Sequence, residues 1–161
     1  MPKYIEGPEA RFTPYDGIFV NLELYTGEKY EGLEVHRMFP ITGLRRYISL
    51  LDSEGEEIAV IRNLDDLMPE SREVVESCLN EYYSIPRILR FIKMDTSFTI
   101  WLWTVETDKG IITFEIRNHI TAIKPLYDNR VLIKDGNDNR FEIPDVTKLD
   151  KRSQRMILPK L

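Results

Sequence analysis

The sequence predicts an α+β fold, mainly antiparallel β, built as two small β-lobes with a helical insert between them. Three observations carry that reading. Eight Tyr, seven Phe and two Trp join β-branched residues in short runs that alternate with polar positions, the two-residue period of a strand. Turn-forming clusters separate the runs, at Thr26-Gly27-Glu28, Asp52-Ser-Glu-Gly55, Asp108-Lys109-Gly110 and Asp135-Gly-Asn-Asp-Asn139. From Pro69 to Tyr83 the apolar residues Val74, Val75, Cys78, Leu79 and Tyr82 recur at three and four, the period of a helix.

In chain order, residues 1–14 carry three prolines and several charges and read as a loose leader. Ile18 to Tyr25 reads as a strand, answered by Lys29 to Arg37, where Gly32 marks a bulge. Pro40 and Gly43 break the pattern before a hairpin formed by Tyr47–Leu51 and Glu57–Ile61. Pro69 suits a first helical turn, with Glu70 and Glu73 near the positive end of the helix dipole, and Pro86 closes the helix. Arg87 to Met94 fits either a second short helix or an edge strand. Thr99–Thr107 and Ile111–Ile116 form a hairpin with apolar residues on both faces, expected at the centre of the fold. Ile120–Leu126, Arg130–Lys134 and Arg140–Ile143 follow as strands, and Pro144 to Leu161 as a helical or irregular tail. The resulting division of a single domain over residues 1–161 is 15–64 β, 65–94 helical insert, 98–150 β and 151–161 tail. The two halves echo one another at an offset of roughly 80 residues: Ile48–Ile61 with Asn63-Leu-Asp-Asp-Leu67 parallels Val131–Ile143 with Asp145-Val-Thr-Lys-Leu149. That likeness implies a weak internal duplication, although convergent hairpin chemistry produces much of it.

Length and composition bound the function. A chain of 161 residues buries roughly 70% of its unfolded surface and needs neither disulfide nor metal to fold. The net charge of −5 argues against non-specific binding to nucleic acid or anionic lipid. One cysteine, Cys78, excludes an intrachain disulfide and a cysteine-based zinc site. Without an apolar signal core or a run near the ~18 residues of a span, the expected compartment is the cytoplasm, with no membrane insertion.

Catalytic and metal patterns find little support. Asp135-Gly-Asn-Asp-Asn139 offers alternating oxygens, but Arg140 and Val146 occupy the positions where a calcium loop wants Gly and Glu. His36 with Glu34 and His119 with Glu115 supply metal-ligand types, yet nothing brings the two pairs together. No nucleophile elbow or phosphate-cradling loop occurs. Arg87, Arg90 and Lys93 would line one face if that segment is helical and, with Arg45-Arg46 and the Trp101 and Trp103 pair, could bind a carboxylate or nucleic acid; a solvated basic face over a core aromatic pair explains them better. The expectation is a protein without catalytic residues, metal or cofactor.

At Tyr47-Ile-x-Leu-Leu-Asp-x-Glu-Gly-x-Glu-Ile, Trp103-x-Val-x-Thr-Asp-Lys-Gly and Asn139-Arg-Phe-Glu-Ile-Pro-Asp-x-x-x-Leu-Asp, the chain resembles the bacterial family known as domain of unknown function 1854, from about Phe12 to Leu158. The resemblance implies two settings: stand-alone proteins associated with metabolism of cyanophycin, an aspartate–arginine storage polymer, and a domain fused to ATP-binding-cassette (ABC) transporters. It implies a non-catalytic accessory or regulatory module whose partner is a transporter, a cyanophycin enzyme, or a small aspartate- or arginine-type ligand. Arg140, Glu142 and Asp145 offer complementary charge for such a ligand. A nucleic-acid-binding small β-barrel and a hydrolase acting on the polymer or its dipeptide are the alternatives. Exposed strand edges and aromatic content also permit a homo-oligomer.

Overall fold

The computed structural model describes residues 3–161, and the chain divides between Ser84 and Ile85 into two compact units. The first begins with β1 (Tyr4–Ile5) and continues through β2 (Ala10–Tyr15), β3 (Phe19–Leu24), β4 (Lys29–Phe39), β5 (Gly43–Leu51), β6 (Glu57–Asn63) and α1 (Pro69–Ser84). Its six strands form one sheet in the order β1-β6-β5-β4-β3-β2, antiparallel except where β1 runs parallel to β6. The leader expected over residues 1–14 is therefore structured from Tyr4 onward; its first two residues lie outside the described residues. Ile5, Ala10 and Phe12 join the core, and burying those apolar side chains outweighs the local cost of the prolines.

Helix α1 lays Val75, Cys78 and Leu79 onto the sheet interior. Its first turn does a second job. The Phe12 amide on the outer strand β2 donates to the Ser71 hydroxyl at 3.1 Å, within a buried environment. Ala10 donates to the Gly7 carbonyl, and Pro14 has no amide to offer. The exposed edge of β2 is thus closed residue by residue. The expected bulge is present: Gly32 takes φ +65°, its amide donates to Asn21 Oδ1, and the β3–β4 register slips opposite it.

The β4–β5 ribbon outgrows the sheet. Met38 and Phe39 are adjacent yet both exposed, as are Leu44 to Tyr47 on the return, so neither face of the tip is covered. Gly43 pairs with Phe39, and a Cβ there would sit 2.9 Å from the Phe39 Cβ, so the tight crossing requires glycine. The root of the ribbon is fixed. The Arg37 amide donates to the Tyr83 hydroxyl at 2.8 Å, and Arg45 holds both Asp65 and Glu76 at 2.6 Å.

The second unit contains β7 (Ile88–Asp95), β8 (Trp101–Thr107), β9 (Gly110–Ile116), α2 (His119–Ala122), β10 (Ile123–Pro125), β11 (Val131–Lys134), β12 (Arg140–Ile143) and α3 (Lys151–Ile157). Two three-stranded antiparallel sheets, β7-β8-β9 and β10-β11-β12, enclose a core that includes Phe91, Trp103, Phe114, Phe141 and Ile157. The helical insert expected over 65–94 ends at Ser84. Pro86 stops the helix, and residues 88–95 form a strand because Ile88 and Phe91 are needed in this core. The central hairpin buries one face only: Trp103 and Val105 point inward, whereas Ile100, Leu102 and Ile111 are exposed. The strand expected at Ile120–Leu126 starts as α2, because the Asn118 side chain caps the Ile120 amide and its carbonyl accepts from Ala122. Residues 151–161, expected as a tail, include α3, capped by Asp150 and anchored through Ile157.

Trp103 is fully buried with no hydrogen-bond partner for its indole N–H among the described residues. Its ring stands edge-on to Phe91 at 5.8 Å and inclined to Phe114 at 6.0 Å, contacts that aromatic quadrupoles favour.

The second unit closes its own outer strand as the first does: the Phe91 amide donates to the Ser153 hydroxyl at 2.8 Å. Replacing Ser71 or Ser153 by Ala strands a buried amide, so each substitution should cost about 1–3 kcal/mol in urea unfolding. Variants as stable as the native chain would show that these bonds do not hold helix to strand.

Candidate functional site

The ligand hypothesis centred on Arg140, Glu142 and Asp145 requires three side chains facing a common space. On β12, Phe141 and Ile143 enter the core and Arg140 and Glu142 take the opposite side, as the alternation predicts. Glu142 is only 3% exposed, however. Its Oε2 lies 2.9 Å from Arg130 Nη2 and its Oε1 3.3 Å from Arg87 Nε, while its amide donates to the Pro86 carbonyl. Arg130 in turn lies over the Tyr127 ring, 4.9 Å from the centroid. Asp145 accepts from the Thr147 amide at 2.9 Å and hydroxyl at 2.5 Å, starting a 3-10 turn over Val146–Lys148. Those bonds, the hydroxyl's first, hold its carboxyl below the usual carboxylate range. Arg140 sits opposite Lys134 and is itself engaged. Glu142 and Asp145 thus each have a local structural task, the first buried between two arginines and the second starting a turn.

The other sequence candidates resolve similarly. Asp135 Oδ1 accepts from the Asn137 and Asn139 amides at 2.8 Å, as Asp52 Oδ1 does from Glu54 and Glu56 at 2.9 Å, so the calcium-like run is a carboxylate-closed hairpin turn. No group of three His, Cys, Asp or Glu among the described residues could hold a metal ion. His36 Nε2 lies 2.8 Å from Glu34 Oε2 and its ring stacks on Tyr82; His119 belongs to the other unit and stacks on Trp101 at 3.5 Å. Arg90 and Lys93 lie on strand β7 and Arg87 immediately before it, none of them on a helix face, with Arg90 paired to Glu106 and Arg87 to Glu142.

Two features escape the sequence reading, both in the first unit. One is the apolar ribbon tip Met38-Phe39-Pro40-Ile41, followed by Leu44; Ile41 is 87% exposed. Its signal is present in the sequence, as large apolar residues packed around Pro40 and Gly43 where a turn calls for polar ones. The other is a cleft of about 550 Å³ between β2 and the first turns of α1. Ala10, Phe12, Leu24 and Val74 contribute apolar walls, and Glu9, Glu23 and Glu70 outnumber Arg11 among its charges. A smaller hollow of about 300 Å³ continues along α1 past Pro14, adding Glu73. Assigning Pro8 to Pro14 to a leader conceals one wall of this cleft.

A structural role for the Glu142 cluster has a direct consequence. Glu142→Gln leaves two arginines around a neutral amide and should cost roughly 3–5 kcal/mol in equilibrium unfolding. The Asp145 contribution depends on pH with a fixed sign. Its carboxyl titrates below its unfolded value, so its contribution is present above that value and disappears as pH falls through the lowered one. The stability gap between native and Asp145→Asn chains should therefore narrow on acidification. A gap independent of pH would remove the cap from the account.

Neither a curated protein nor a solved structure matches the chain. A family model does match, over residues 30–159, which take in the β4–β5 ribbon, α1 and nearly all of the second unit. The chain belongs to the family described as Domain of unknown function (DUF1854).

Proposed function

We propose that this protein is a non-catalytic accessory or regulatory module that docks onto a partner protein through the β4–β5 ribbon tip. The exposed apolar tip carries the reading. Large apolar side chains held in water on a ribbon whose root is pinned by Arg37–Tyr83 and Arg45–Asp65/Glu76 are what a preorganised docking element needs. The setting proposed with it is cyanophycin metabolism or an ABC transporter in the cytoplasm, as the family resemblance suggests. The nucleic-acid alternative asks for a basic groove, whereas Arg87 and Arg130 are bound to Glu142 and Arg45 to Asp65 and Glu76.

We also propose that the units are two copies of one small β-module. Four matched features support it. The Asp52 and Asp135 turns are closed by the same bonds, and Asn63 and Asp145 cap equivalent 3-10 turns. Ser71 and Ser153 hold Phe12 and Phe91. Val60 and Glu142 donate to the carbonyls of Lys3 and Pro86 through parallel bridges.

Calorimetric titration with β-aspartyl-arginine, arginine and aspartate, with hydrolysis assayed in the same mixtures, tests the absence of catalysis; turnover would overthrow it. Binding to a purified cyanophycin enzyme or transporter should weaken by about tenfold or more in Ile41→Asp, the loss typical of a central interface anchor. Unchanged affinity would remove the tip from the interface.

A further inference from the structure

The ribbon tip and the β2–α1 cleft are complementary in shape and charge. The tip is a convex apolar projection, Met38 to Leu44, and Arg37, Arg45 and Arg46 lie at its base. The cleft is a concave apolar slot of about 550 Å³ with Glu9, Glu23 and Glu70 along it, opposed by Arg11 alone. A slot of that volume is in the range that accommodates bulky side chains such as Phe39 and Ile41. Arg45 already neutralises Asp65 and Glu76, so Arg46, exposed on the ribbon, is the cation best placed to meet the acidic rim.

We infer that the tip of one molecule inserts into the cleft of a second copy, giving head-to-tail self-association of the chain. In the one-way arrangement a dimer keeps a free tip and a free cleft, and each added molecule presents a fresh pair; a reciprocal exchange of tips about a two-fold axis would instead stop at the dimer. The one-way assembly therefore grows with concentration into rings or short filaments. Seating Phe39 and Ile41 removes apolar surface from water, and the arginine–glutamate rim fixes the register and makes the association salt-sensitive. The same rim explains why the tip does not simply pair with another tip, since that contact would set arginines against arginines. The inference rests on the proposed function only in taking the tip as a docking element.

The test separates the two halves. Ile41→Asp disables the tip and leaves the cleft; the double variant Glu23→Lys/Met68→Lys reverses charge at the cleft and leaves the tip, and all three positions are exposed, so the fold should survive. Circular dichroism checks that it does. Light scattering after size exclusion should show the native chain growing in mass with concentration, less so at high salt, and each variant remaining monomeric. An equimolar mixture of the two variants should give a one-to-one dimer that grows no further, because only one working contact is left. A native chain that stays monomeric at all concentrations overturns the inference. So does continued association of the cleft variant alone, the mark of tip-to-tip contact, and so does a mixture that remains monomeric. A monomeric native chain that still binds a partner enzyme or transporter through Ile41 would leave the docking-module reading standing and remove this one.

Discussion

An open strand edge is the constraint around which both units are built. A sheet of three to six short strands exposes rows of amides and carbonyls that pair with any strand they meet. Here the outermost strand is closed by a serine hydroxyl on the following helix, Ser71 for Phe12 and Ser153 for Phe91. That bond decides more than one amide. It places the helix against the strand, brings Val75, Cys78 and Leu79 in the first unit and Ile157 in the second over their cores, and fixes where the preceding turn must stop. Asn63 and Asp145 end β6 and β12 for the same reason: the chain has to turn within a few residues to deliver the serine. The cleft beside α1 is a by-product of this closure, since the helix meets β2 at Ser71 and leaves space on either side.

The bonds that make this frame are the ones a sequence shows best when they are local. Asp52 and Asp135 sit two and four residues from the amides they accept, so the acidic turn clusters announce their hairpins. The α1 period, the Gly32 bulge and the Asp145 cap were legible on the same principle. Long-range demands were not. Nothing local says that Ile5 and Phe12 complete a core, so a proline-rich start reads as a loose leader. Nothing local chooses strand over helix for Ile88 to Met94; the choice falls to Trp103 and Val105, whose strand pairs with it. The apolar outer face of the central hairpin reads as buried because a pattern cannot report whether anything lies across from Ile100 and Leu102.

The burial of Glu142 escaped the sequence for a related reason. Alternation placed Arg140 and Glu142 on the side away from Phe141 and Ile143, correctly, but Glu142 is buried there. Glu142 is surrounded by Arg130 and Arg87, residues 12 and 55 positions earlier, and no spacing rule links the three. A buried carboxylate between two guanidiniums contributes little net stability relative to an apolar cluster of equal volume.

That internal use of charge bears directly on function. Arg45, Arg87, Arg90 and Arg130 are each bound to glutamate or aspartate, and Asp52, Asp135, Asp145 and Asp150 each close a turn or cap a helix. Those groups are engaged in the bonds that order the fold. A large apolar surface is left exposed at the ribbon tip. It stands on the one ribbon that runs past its sheet, stiffened at the root by Arg37 and Arg45 and narrowed at Gly43 so that Phe39 and Ile41 project. Keeping such side chains in water weakens solubility and does nothing for the fold of the unit that carries them. Such a surface is what the proposed docking role requires.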